Sequence, residues 1–177
     1  LPCREVYVVF FCFGHGHSEA FLKEHAIPSD VRIIDLEQDF RIKSPGNDYV
    51  YGLPEINRGL IAHAKHVANP GCFATCIQLA LLPAAAMGLL TSDISVNAIT
   101  GSTGAGQKPS STTHFSWRAD NMSIYKPFSH QHVPEIRQSL TQVQGSLPCD
   151  IDFIPYRGNF ARGIFATSVV KTDATLD

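Results

Sequence analysis

The residues with the clearest chemical use are one cysteine and two histidines. Cys72 follows Asn69-Pro70-Gly71, which is turn chemistry, because Pro fixes one φ and Gly relaxes the next. The apolar, Ala- and Leu-rich run that follows it has no β-branched cluster and predicts a buried helix. Cys72 is therefore expected at or next to the first turn, where backbone N–H groups and the positive end of the helix dipole favour a thiolate. Such cysteines have pKa values of roughly 3.5–7.5, against about 8.5 for the free side chain. That makes a nucleophile at neutral pH. A small buried residue has the same spacing, and spacing alone leaves the two readings even.

The histidines stand in Ser129-His130-Gln131-His132-Val133-Pro134-Glu135. Pro134 and Glu135 mark the first turn of a helix running to about Gln142, with His132 at its N-terminus. His132 is either an acid/base or only a cap. Two glycine loops accompany these residues. Gly101-Ser102-Thr103-Gly104-Ala105-Gly106-Gln107-Lys108 can approach an anion or a flat ring closely, but it lacks the ending of a P-loop. Gly14-His15-Gly16-His17-Ser18 sets two histidines around a glycine without a carboxylate, so a metal is its minor reading. Arg41 has the donor fork that suits phosphate, and Lys108 offers a further charge; a solvated surface role is open for both.

These residues need elements to position them. Val6–Phe13 is apolar throughout, as in a parallel strand buried on both faces. Ser18 is placed to cap a helix over Glu19–His25, and Val31–Asp35 is the next strand. Strand, helix, strand at this spacing is a βαβ unit, with ligand loops at the carboxyl ends of its strands. A short amphipathic helix follows Tyr51–Arg58 and ends near Lys65. Asp93–Thr100 alternates polar and apolar, which predicts a half-buried strand of a mixed or antiparallel sheet. Pro109–Ser129 reads as irregular, and Ile164–Val170 as a final strand.

Composition sets the limits. The chain has 177 residues, 44% hydrophobic and 17% charged, enough for a real core. A net charge of −2 without a basic run argues against nucleic acid as a partner. The run Phe73–Leu90 has the length of a membrane span, but Thr75, Gln78 and Pro83 within it favour a buried helix instead. Five cysteines without a Cys-x-x-Cys pair argue against a disulfide framework or structural zinc, and for a reduced, cytoplasmic setting. The chain opens directly on a core-like strand without Gly-x-Gly-x-x-Gly, so it is expected to be part of a longer protein.

Val67-Ala68-Asn69-Pro70-Gly71-Cys72-Phe73-Ala74-Thr75, closed by Pro83, resembles the active-site signature of the N-acetyl-γ-glutamyl-phosphate reductase family of the semialdehyde dehydrogenase group. Cys76 departs from the pattern, which has a small Gly or Ala there. The resemblance extends from about Val8 to Val170. It implies an α/β fold: part of a Rossmann-type parallel sheet over residues 1–45, then a glyceraldehyde-phosphate-dehydrogenase-like catalytic domain with a mixed sheet over residues 46–177. It implies NADPH-dependent reduction of an acyl-γ-glutamyl phosphate through a Cys72 thioester, with His132 as acid/base. By the same resemblance Gly14, Gly16, Ser18, Ser102, Gly104 and Gly106 contact NADP. Arg41, Lys108, His130 and Arg162 bind substrate; Arg162 takes its α-carboxylate and Arg157 is the weaker candidate. A homo-oligomer without membrane or metal is implied. Two rivals remain: a Cys–His hydrolase or acyltransferase without a dinucleotide, and a metal-binding module using His15, His17, His130 and His132. The acyl group, acetyl or succinyl, is left open.

Overall fold

The computed structural model describes residues 6–14 and 16–173. His15, one of the residues of the metal rival, lies outside the described residues. The chain divides into two compact units, residues 1–71 and 72–177.

The first unit is built on parallel strands. β1 (Val8–Phe11) leads through α1 (Ser18–Glu24) to β2 (Arg32–Asp35). β3 (Val50–Tyr51), α2 (Pro54–His63) and β4 (His66–Ala68) complete it, with strand order β1-β2-β4-β3. All three pairings are parallel. β4 hydrogen-bonds directly to β2 and β3 to β4, so residues 46–71 belong to this sheet. The boundary between compact units therefore falls at Gly71/Cys72 and not at 45/46. Phe11, Ile33, Tyr49 and Ala68 form the core, against which Phe21 and Leu22 of α1 pack.

Two local expectations need correction. β1 is covered on one face only: Phe11 is buried, whereas Phe10 is 61% exposed. Among the described residues it pairs with β2 alone, and α1 supplies the packing on the Phe11 side. Ser18 does not cap α1. It is the first helical residue, behind His17, and its hydroxyl donates to the Asp35 carboxylate at 2.7 Å.

The second unit opens with α3 (Cys72–Ala86), the predicted apolar helix, followed by β5 (Ile94–Thr100). A short 3-10 turn covers Ser102–Ala105. The segment read as irregular holds a one-turn helix, α4 (Phe115–Arg118), and a two-residue strand, β6 (Ser123–Ile124). Elements this short carry no periodic signal. α5 (Val133–Gln144), β7 (Ile151–Arg157) and β8 (Ile164–Val169) follow. The sheet order is β6-β7-β5-β8, with β5 and β7 parallel and the outer pairings antiparallel, so this sheet is mixed. Ile94, Val96 and Ala98 point inward from β5 and alternate with exposed Ser95 and Asn97. Ile77 and Leu81 of α3 and Ile136 and Leu140 of α5 are buried with them. Among the described residues no helix is long and apolar enough to cross a membrane.

Candidate active site

α3 starts at Cys72 because Pro70 and Gly71 cannot continue β4 and the run after them is strongly helical. Cys72 is exposed. Cys76, one turn on, is half-buried; burial first, and then the charge of Cys72, push its thiol up. Phe73 is buried and holds the start of the helix in a cluster of rings. Its centroid lies 5.4 Å from His130, 6.4 Å from His132, 5.2 Å from Phe153 and 6.4 Å from Tyr125. The two histidines are edge-to-face at 4.6 Å.

Each histidine is fixed differently. His130 is buried, and burial, helped by the Lys126 charge, pushes its pKa down to about 4. Its Nδ1 accepts the backbone N–H of His132 at 3.2 Å, so the neutral ring carries its proton on Nε2. His132 is the N-cap residue of α5 yet makes no side-chain cap hydrogen bond. Its Nε2 lies 3.8 Å from Oε1 of Glu135, one helical turn along and also buried. Sequence reasoning took Glu135 only as a helix-start signal; the i,i+3 spacing was the available clue to its second use.

The 101–106 loop is pinned to residues 158–163. Gly101, Ser102 and Thr103 donate their N–H groups to Gly163, Phe160 and Ala161, and the Ser102 hydroxyl donates to Gly158 at 2.9 Å. A Cβ on Gly101 would meet the Ala161 carbonyl at 2.6 Å, so glycine is required there. Gly106 adopts φ +80° and faces open space. Arg162 is exposed on the pinning loop, and Lys108 is exposed beyond Gly106.

In the first unit, the Gly14–Ser18 loop is occupied by carboxylates. Gly14 N–H donates to Glu37 at 2.8 Å, while Gly16, Ser18 and Glu19 donate to Asp39 at 2.8, 3.0 and 3.2 Å. The N–H groups that a phosphate would use already hold anions of this chain. The alternating acids Asp35, Glu37 and Asp39 directly after β2 were the sequence signal for this. Arg41 also departs from the expected role. It is buried, with Nε donating to the Asn69 carbonyl and Nη2 to the Leu36 carbonyl, both at 2.8 Å. Its fork thus holds the turn before Cys72. Among the described residues no group of three or more His, Cys, Asp and Glu is placed to hold a metal.

Comparison with known proteins fits this picture. The family model described as semialdehyde dehydrogenase, NAD binding domain, matches residues 2–64. The one described as semialdehyde dehydrogenase, dimerisation domain, matches residues 72–177. The chain belongs to the semialdehyde dehydrogenase family. Among its relatives is the N-acetyl-gamma-glutamyl-phosphate reductase of Phocaeicola vulgatus, 65% identical over all 177 residues, which are 55% of that protein. The protein of the same name from Bacteroides thetaiotaomicron is 63% identical with the same coverage. The chain thus spans about half the length of the curated relatives it matches. Aspartate semialdehyde dehydrogenase II from Vibrio cholerae shares the fold, with a TM-score of 0.72 at 19% identity over 100% of this chain and 59% of that one. The expected α/β architecture, a parallel sheet and a mixed sheet, is the one this family has.

The dinucleotide fits the semialdehyde dehydrogenase loops in a restricted way. Among the described residues, Gly14, Gly16, Ser18, Gly101, Ser102 and Thr103 have their N–H groups engaged within the chain. Gly106 and Gly16 have no heavy atom within 4 Å of a built Cβ, which leaves open backbone for a flat ring or a ribose to approach.

Proposed function

We propose that this chain carries the catalytic part of an NADP-dependent reductase acting on an N-acyl-γ-glutamyl phosphate. The product is the γ-semialdehyde, as in arginine biosynthesis. One observation carries the reading. Cys72 opens α3 exposed, and the residue after it is packed against both His130 and His132.

The chemistry follows from these residues. Cys72, as thiolate, attacks the acyl carbonyl, and phosphate leaves with the bonding electrons of the broken C–O bond. N–H groups at the start of α3 steady the oxyanion on the way to the thioester. NADPH, when bound, supplies the hydride that reduces the thioester. His132 takes the Cys72 proton at the outset and later donates one to the thiohemiacetal oxygen, with Glu135 lying 3.8 Å from its Nε2. His130, kept neutral, offers an Nε2 proton to the substrate. The residues proposed to contact the cofactor are Gly14, Gly16 and Ser18 in the first unit and Ser102, Gly104 and Gly106 in the second. Arg162 and Lys108 bind substrate anions. Arg41 acts indirectly, by holding the Asn69 turn. The working protein is a cytoplasmic homo-oligomer.

The test is NADPH oxidation by the full-length protein with N-acetyl-γ-glutamyl phosphate. Cys72→Ala should abolish it, and His132→Ala should lower kcat by about 10²–10⁴. Cysteine alkylation, followed by mass spectrometry across pH, should show Cys72 reacting fast and His132→Ala slowing it. A Cys72 that is inert in the folded protein defeats the reading, and thioester hydrolysis without NADPH consumption would favour a hydrolase.

A further inference from the structure

The second unit holds a cation that the site described so far does not use. Arg157 is the last residue of β7, level with Thr100 of β5 and Ser123 of β6. Those strand ends lead into the 101–106 loop. Its backbone is held from two sides. Arg118, itself buried, donates to the Arg157 carbonyl and, at 2.8 Å, to the Ser123 hydroxyl. The next residue, Gly158, donates its N–H to the Thr100 carbonyl at 2.9 Å.

The side chain is equally defined. The guanidinium carbon stands 4.6 Å from the centroid of the Tyr125 ring, a cation–π stack. Nε is buried and has no hydrogen-bond partner. Among the described residues no carboxylate pairs with this guanidinium. A half-buried guanidinium without a counter-ion is costly unless an anion completes it. Tyr125 ties the group to the nucleophile. Burial pushes its phenol up, the Arg157 charge and a side-chain hydrogen bond with Arg157 pull it back, and the Cys72 charge pushes it up again. The Tyr125 ring lies 6.4 Å from that of Phe73, the residue after Cys72, and 5.7 Å from His130.

We propose that Arg157, stacked on Tyr125, is the cation that receives an anionic oxygen group of the substrate beside Cys72. The inference rests on the reading of Cys72 as nucleophile. A planar fork on an aromatic platform presents its outer N–H pair in a fixed direction, which suits a carboxylate or a phosphate. An acyl-γ-glutamyl phosphate carries both. Arg162, the stronger candidate from sequence, is exposed on a loop without such a platform.

The experiment compares two alkylating agents at Cys72 in the full-length protein. Iodoacetate is an anion and iodoacetamide is its neutral counterpart. Arg157→Gln should lower the iodoacetate-to-iodoacetamide rate ratio at Cys72 about tenfold, as expected for losing one nearby charge. Arg157→Lys keeps the charge and the stem and should retain most of the ratio, which guards against a folding artefact. Protection then separates the two anion sources. If Arg157→Gln removes protection by inorganic phosphate and spares protection by N-acetylglutamate, the residue holds the acyl phosphate. The reverse pattern assigns the carboxylate. An unchanged ratio, or equal slowing of both reagents in Arg157→Gln, overturns the proposal and leaves Arg157 a packing residue. A ratio that falls in Arg162→Gln and not in Arg157→Gln also overturns it. If Cys72 of the unsubstituted protein ignores both reagents, the nucleophile reading itself has failed, and the proposal with it.

Discussion

Each unit buries a polar cluster, and the two clusters are built on opposite principles. In the first, Asp35, Glu37 and Asp39 gather the N–H groups of the Gly14–Glu19 stretch and the Ser18 hydroxyl. Charge organises the loop, and Asp39 does for α1 what its own N-cap residue does not. In the second, Phe73, Tyr125, His130, His132 and Phe153 interlock as rings, and a single backbone hydrogen bond orients His130. A carboxylate collar fixes backbone and leaves little for an external anion. A ring cluster fixes side-chain direction and leaves nitrogens and a cysteine available for chemistry. The glycine loop of the first unit is held by carboxylates of this chain, and the proposed nucleophile and acid/base lie in the second.

Removing the hub of each cluster sharpens this contrast. Phe73→Ala takes away a buried ring with four ring neighbours and should destabilise the second unit by about 3–5 kcal/mol. Chemical denaturation followed by Trp117 fluorescence reads this, and Cys72 alkylation should slow with it. The first unit should be little affected. Asp39→Ala is the matching change there. It strips three backbone N–H groups of their acceptor and should cost about 2 kcal/mol, confined to the first unit. Hydrogen exchange at Gly16, Ser18 and Glu19 should accelerate, and Asp39→Asn should recover part of the loss. If Asp39→Ala instead changes Cys72 reactivity while those amides stay protected, the collar is not a scaffold.

The sequence made the second cluster easier to read than the first. Cys72, His130 and His132 sit at helix starts marked by Pro70-Gly71 and Pro134-Glu135, and such punctuation is local. The apolar run of α3 and the alternation of β5 gave both elements, and β8 fell where the Ile164–Val170 run placed it. The misses involve partners distant in sequence. Arg41 looked like a phosphate ligand because nothing near it shows that the Asn69 carbonyl, 28 residues away, uses its Nε. The carboxylate partners of the Gly14–Ser18 loop were not legible because Glu37 and Asp39 return only after a helix and a strand. The unit boundary moved because short β3 and β4 join a parallel sheet by pairing that local pattern does not encode.

The smallest effect is also the most direct contrast: the two clusters should respond to acid with opposite sign. Burial raises the Asp35 carboxyl above its ordinary value, against the opposing hydrogen bonds from Ser18 and the Glu37 N–H. The folded first unit thus holds this proton more tightly than the unfolded chain does. The Asp35 contribution to stability therefore falls as pH rises through its raised value, and acidification from neutrality restores it. For His130 the folded value, about 4, lies below the unfolded 6.5. The unfolded chain takes up the proton first, so the His130 contribution is complete above pH 6.5 and is lost as pH falls toward 4. Hydrogen exchange on α1 and on α5, followed as the pH is lowered from neutrality, should show the second unit weakening by more than the first. His130→Phe should flatten the decline in the second unit, and Asp35→Asn should remove the gain in the first. Parallel declines in both units, unchanged by His130→Phe, would mean that other groups govern acid stability and that the two clusters do not differ in the way their burial implies.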